Sequence, residues 1–482
     1  VSGFETAIEA VSDAHQAIPI RLSYGQTLAQ LDQTDEAIEQ YRLVFALESD
    51  NFGALAALAD LYLRTERYQD LLGVYSRQIE LEEDPEVRLQ VAYRRAQVFA
   101  AALQDNERAI EALESIVEEY GVGEAEACTA LEQLYETESC WQDLAQLLER
   151  RVEAGPESDE EIAALKFRLG RVCESQLDDK ARAVGLYREV LSIVAEHDGA
   201  RERLEQLLTD SDVAADASRV LEPVYEIAEN WTQYIHALRV QHRFSSDPGE
   251  KLTLLTRVAD TYFHHIGDTE RGFVSLCEAF REMPSDEVTL QRLEMLASEH
   301  RLFEAVAELT GDLAATIDDV PLSRALWVKT AEIHQTQLSD VEAAVAAYRK
   351  VLQVEPGDFE VLGALDALYR GAQRWHELVG VLRARVEAHS APDDKIGVLG
   401  EMARTHADLL DEPDQAIALQ NEILELDPTN RAALSALDDL LARRGLWSDL
   451  ADNVERQLSM SDEPHEQTVL LLRLAEIREE RM

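Results

Sequence analysis

Residues 322–392 read LSRALWVKTAEIHQTQLSDVEAAVAAYRKVLQVEPGDFEVLGALDALYRGAQRWHELVGVLRARVEAHSAP, and this stretch decides the fold. Four amphipathic helical patterns follow one another in it. They are separated by turn signals at Leu338-Ser339-Asp340, Pro356-Gly357-Asp358 and Gly371-Ala372-Gln373. Small and apolar residues recur at three- and four-residue steps, as in Ala343, Ala347, Val351 and again in Val361, Leu365, Leu368. That spacing puts them on one face of a helix with 3.6 residues per turn. A helix pair of this size cannot bury such a face alone, so the stripe demands stacked neighbours.

The neighbours are present in the sequence. Aligning Ala37, Ala109, Ala183, Gly272, Ala344 and Ala416 gives steps of 72, 74, 89, 72 and 72 residues. An aromatic column, Tyr68, Trp141, Trp231, Phe303, Trp375 and Trp447, keeps nearly the same register. A third column is the Leu-x-x-Leu of Leu58/Leu61, Leu131/Leu134, Leu204/Leu207, Leu293/Leu296, Leu365/Leu368 and Leu437/Leu440. Three independent columns in one period identify a helical repeat array.

Composition agrees with stacked helices. Of 482 residues, 46% are apolar and only 6% aromatic, and the 12 prolines fall mostly at turns. No period-2 apolar run argues for a sheet. The net charge of −50 excludes nucleic acid and anionic membranes as partners. Lysine is scarce beside arginine, as expected of a GC-rich genome or of a surface adapted to high salt. The four cysteines lack metal spacing, and Cys128 and Cys140 are expected near opposite ends of one helix, too far apart to pair. Free thiols favour a reducing compartment, a bacterial cytoplasm over a periplasm. No run is long and apolar enough to insert in a membrane. The opening on Val1 and the stop at Met482 inside a first-helix pattern suggest a piece of a longer chain.

Turn residues place unit starts near Pro85, Asp159, Pro248, Val320, Pro392 and Pro464, with a unit end near Pro156 and Asp or Ser often set to cap the next helix. One unit is longer. Twenty-four residues separate Leu207 from Trp231, where seven separate Leu368 from Trp375. The surplus at 211–230 reads as an additional helix containing Pro223, either a plain insertion or a hinge or docking feature. The expected organisation is an N-terminal half at 1–210, the insertion at 211–230, and a C-terminal half at 231–482 that ends within a repeat.

Each unit divides into helix pairs of about 34 and 38 residues, and the first pair resembles a tetratricopeptide repeat. Ala331, Ala344, Tyr348, Val351 and Pro356 fall at that family's seventh, twentieth, twenty-fourth, twenty-seventh and thirty-second positions. Tyr369 and Leu382 fit the eleventh and twenty-fourth positions of the second pair. The family's eighth-position glycine is Glu332 in one pair and Asp366 in the other, and its fourth-position tryptophan is Val328, so these are degenerate repeats. The resemblance implies an all-α, right-handed α-solenoid of stacked antiparallel helix pairs. It further implies first helices lining a concave groove and a role in binding proteins.

No catalytic motif and no cofactor or metal signature is present; adjacent His264 and His265 point about 100° apart on a helix and make a poor ligand pair. One column stands out. The fifth position of each first helix reads Leu22, Arg94, Arg168, Arg257, Lys329, Glu401, Arg473. Five basic residues there, in so acidic a chain, predict one of two things. Arg94, Arg168, Arg257, Lys329 and Arg473 contact a protein partner in the groove, or they pair internally with an acidic column at Glu132, Glu205, Glu294, Asp366 and Asp438. The asparagine that accompanies a carboxylate clamp in the resembled family is absent, its place taken by Val98, Val172, Thr261 and Ile333. The aromatic column reads as packing rather than ligand stacking. The expectation is a non-enzymatic scaffold or adaptor. The alternatives are an architectural spacer or self-associating subunit, and the regulatory arm of an enzyme whose catalytic domain lies elsewhere.

Overall fold

The computed structural model describes residues 2–155 and 158–481; the unit end expected at Pro156 and the acidic Glu157, like Val1 and Met482, lie outside them. Among the described residues the chain forms 27 α-helices and no strand. The unit quoted above shows why. Its helices are Val320–Ile333, Val341–Val354, Phe359–Gly371 and Trp375–Ala388. Asp319, Asp340 and Asp358 precede the first three, and their carboxylates accept the N–H groups of Leu322, Ala343 and Val361 at 3.0, 3.0 and 3.1 Å. Each such cap contributes about 1 kcal/mol. Pro321 sits in a first turn, where its missing N–H removes no intrahelical bond.

The chain reverses inside each helix pair through a single residue in the left-handed region. Here those residues are Ser339 (φ 54°) and Gln373 (φ 55°). At Ser339 the first helix widens into a π turn, His334–Leu338, and the Asp340 N–H closes on the His334 carbonyl at 2.9 Å. The same six-residue closure recurs at Gln104, Asp178, Gly267 and Asp411, whereas Asp32, like the counterpart turns at Glu66, Ser139, Glu229, Arg301 and Gly445, closes over five residues. Most of these residues carry side chains, so glycine does not mark the turns.

Those turns fix the register of the long unit. Between Asp159 and Phe244 there are five helices, and Ala214–Ile227 is one of them. It is the regular third helix. Trp231 follows its Tyr225 by the six residues that also separate Tyr62 from Tyr68, Tyr135 from Trp141 and Tyr369 from Trp375. The left-handed Glu229 sits between, as Gln373 does in the reference unit. The surplus element is therefore the ten-residue helix Asp198–Leu207, whose Leu204-x-x-Leu207 imitates the third column. It is anchored by Arg203, whose Nε and Nη2 reach Glu174 at 2.9 and 2.5 Å, while Lys180 holds Asp210 at 2.7 Å just beyond it.

Packing follows the columns. Ala37, Ala109, Ala183, Ala344 and Ala416 are fully buried, and at Gly272 a Cβ would overlap the Phe263 ring. The aromatic column opens a helix every time, and Tyr68, Phe303, Trp375 and Trp447 pack half-buried against the core. Within each of two compact units, each helix rests on those before and after it in sequence, which is α-solenoid packing. The chain forms two compact units, Val1–Phe244 and Ser245–Met482. Residues 211–230 lie within the first, where Ala214–Ile227 packs on Trp231–Phe244. Cys140 is not on the helix of Cys128; it lies in the turn after Ser139, and all four cysteines are free thiols.

Candidate functional site

The basic ladder stands on first helices and meets carboxylates on third helices. Arg168, on Asp159–Ser175, binds Glu132 of Ala125–Glu138 and reaches Glu136 at 2.6 Å. Arg151 closes on Glu132 from the other side, and that carboxylate is only 3% exposed. Asp438, equally buried, accepts Arg473 at 2.9 Å, Gln457 at 2.8 Å and Asn453 at 2.8 Å. Lys329 reaches Glu294 at 2.7 Å. A buried carboxylate is stable only when several donors replace its water, and Glu132 receives two and Asp438 three.

The spacing is regular. The acid's first donor lies 19 residues on, as in Arg151–Glu132, Arg385–Asp366 and Gln457–Asp438, and the ladder residue 35 or 36 on. By this rule the acid of the long unit is Glu222, which accepts from Gln241 at 2.7 Å, also 19 residues away. Glu205, expected in the column, instead belongs to the surplus helix and accepts the Tyr225 hydroxyl at 2.8 Å. Where the ladder residue is itself acidic, at Glu401, two arginines intervene. Arg370 and Arg385 both bind Asp366 and approach Glu401 at 3.4 and 4.0 Å.

Two ladder positions differ. Arg257 occupies the same turn on Pro248–Thr261 and is half-buried. Arg94, on Pro85–Gln97, is exposed, and its guanidinium has no hydrogen-bond or ion-pair partner among the described residues. The residue 35 before it is Ala59.

The face carrying the ladder is cleft. Leu22, its first member, lines an opening of about 530 Å³ with Tyr41, Ala57, Asp60 and Arg64. Arg168 lines another of about 320 Å³ with Trp141, Arg171 and Gln176. Apolar side chains stand exposed on third helices, Leu63 at 50%, Val288 at 65% and Met295 at 56%. His264 and His265 are exposed in the π turn Tyr262–Ile266. Among the described residues no helix is long and apolar enough to cross a membrane.

Tetratricopeptide repeat models match residues 54–89 and 90–121, the segment that contains Ala59 and Arg94. No curated protein matches the sequence. Among solved structures, that of Naa15/Naa10 bound to HypK-THB aligns over 97% of this chain and 74% of its own at 14% identity, with a TM-score of 0.32. Yeast Tom70 aligns over 97% and 96% at 12% identity, TM-score 0.22. YrrB, described as a TPR protein with an unusual peptide-binding site, aligns over 42% and 97% at 16% identity, TM-score 0.24.

Proposed function

We propose, from the premise that this chain is a tetratricopeptide repeat protein, that it is a non-enzymatic scaffold docking partner proteins on the face shared by its first and third helices. The observation that carries the reading is the mixture on that face. Exposed Val288 and Met295 stand on the helix of Glu294 and exposed Leu63 on that of Ala59, beside a basic ladder whose members Arg168, Lys329 and Arg473 also hold internal carboxylates. Exposed apolar anchors ringed by ordered charge are what a protein interface needs. Arg94, Arg168, Arg257, Lys329 and Arg473 contribute the charge pattern, and the apolar residues contribute burial.

Site-specific photo-crosslinking in a lysate tests this. A crosslinker at Leu63 or Met295 is expected to capture a defined protein. One at Leu43 or Val274, exposed on second helices, is expected to capture none. Equal capture from both faces, or capture from second helices only, contradicts the reading.

A further inference from the structure

We infer that the position beside Ala59 is a carboxylate slot left open for a partner's acidic side chain; the inference rests on the docking face proposed above. At the buried acids Glu132 and Asp438, two kinds of donor converge. One lies 19 residues after the acid, the other 35 or 36. The most similar case is Asp438, which takes Gln457 and Arg473. Counting the same intervals from Ala59 gives Gln78 and Arg94, the same two residue types. The donors are kept and the acid is missing.

Both donors stand idle. Neither the Gln78 amide nor the Arg94 guanidinium has a hydrogen-bond partner among the described residues. Asp60, next to Ala59, is taken by Arg64 at 2.9 Å. Gln78 is half-buried, and its amide is left to donate to an incoming acceptor. Arg94 is exposed, so its guanidinium is open to a partner. Ala59 is 9% exposed, and its methyl group carries no acceptor for either donor.

The chemistry of the partner follows from the rest of the chain. A net charge of −50 repels an acidic run. One aspartate or glutamate set among basic or neutral residues escapes that repulsion and still supplies the missing acceptor. It would accept from Gln78 and Arg94 as Asp438 does from Gln457 and Arg473.

The test uses the whole chain and a displayed library of short peptides fused to their carrier at the C-terminus. Peptides selected on the wild type should share a single Asp or Glu among Lys, Arg or neutral residues. Changing that acid to its amide should weaken binding about tenfold to a hundredfold, as should Arg94→Ala. Ala59→Glu supplies the acid internally and should abolish binding while leaving helix content and thermal midpoint intact. Gln78→Leu removes a donor without adding a charge and checks the same slot should Ala59→Glu misfold. Selected peptides without a carboxylate overturn the inference, as does undiminished binding by Ala59→Glu or by Gln78→Leu with Arg94→Ala. Synthetic peptides that bind only through a free C-terminal carboxylate overturn it too. Crosslinking at Met295, in the other compact unit, reads the docking face separately: its survival with the slot refuted leaves the scaffold reading standing.

Discussion

Removing the Glu132 carboxylate, as Glu132→Ala, tests how far the internal ladder holds the stack together. The side chain is 3% exposed and binds Arg151 and Arg168. Breaking a fully buried pair by deleting one partner costs about 3–5 kcal/mol, because the other charge stays behind without compensation. Two features reduce that here. Arg168 is 38% exposed and keeps Glu136, and Arg151 is 18% exposed with Glu161 at 3.9 Å. The expected loss is about 2–3 kcal/mol. A repeat array opens locally, so a single global midpoint would blur the effect. Hydrogen exchange resolves it. Amides of Ala125–Glu138, Trp141–Glu153 and Asp159–Ser175 should exchange about 30- to 150-fold faster, with helices beyond Ser245 unchanged. The control is Glu401→Ala, whose carboxylate is 41% exposed with contacts of 3.4 and 4.0 Å, and whose loss should stay under about 1 kcal/mol. Glu132→Ala exchanging no faster than Glu401→Ala would refute the reasoning.

Three further outcomes follow from other parts of the molecule. The Arg324 guanidinium beside Asp358 holds that carboxyl below its ordinary value of 3.8, so its stabilisation is present above about pH 4 and is lost as pH falls through the lower folded value. Asp358→Asn should therefore lower stability at pH 7 and flatten acid unfolding below pH 4 around Phe359–Gly371, followed by circular dichroism against pH. At left-handed Gln373, glycine relieves the Cβ conflict and should be neutral to about 1 kcal/mol stabilising, whereas Gln373→Val should cost about 1–2 kcal/mol in thermal unfolding. Iodoacetamide at pH 8 should label partly exposed Cys140 first, since burial pushes Cys173 and Cys277 up to about 11; mass spectrometry of early time points gives the order.

The period, the caps and the packing columns were legible in the sequence because each reflects a local preference repeated six or seven times. The surplus helix was misplaced for a physical reason. Leu204-x-x-Leu207 satisfies the apolar spacing of a third helix, whereas the Tyr225–Trp231 spacing, the turn at Glu229 and the Gln241–Glu222 bond show that Ala214–Ile227 holds that place. The turns themselves were partly hidden, since Glu66, Ser139 and Gln373 reach the left-handed region without glycine. The ladder's basic residues were visible, and so were the acids Glu132, Glu294 and Asp438 that they meet; left open were whether the two columns pair at all and the place of Glu222 where Glu205 was expected. Pairing depends on which turn of a third helix faces which first helix, and that register emerged from the contacts. With the interval of 35 in hand, Ala59 is an interruption that the sequence alone displays.

The most direct measurement is the crosslinking yield at Leu63 in Arg94→Ala and Arg168→Ala, taken together with exchange of Ala125–Glu138. Leu63 lies one turn beyond Ala59 on the same helix, Phe52–Arg64. The account predicts that Arg94→Ala lowers the yield and leaves exchange unchanged, because its guanidinium holds no internal partner. Arg168→Ala should instead speed exchange, because it uncovers Glu132. Undiminished crosslinking in Arg94→Ala, or faster exchange there than in Arg168→Ala, would contradict it.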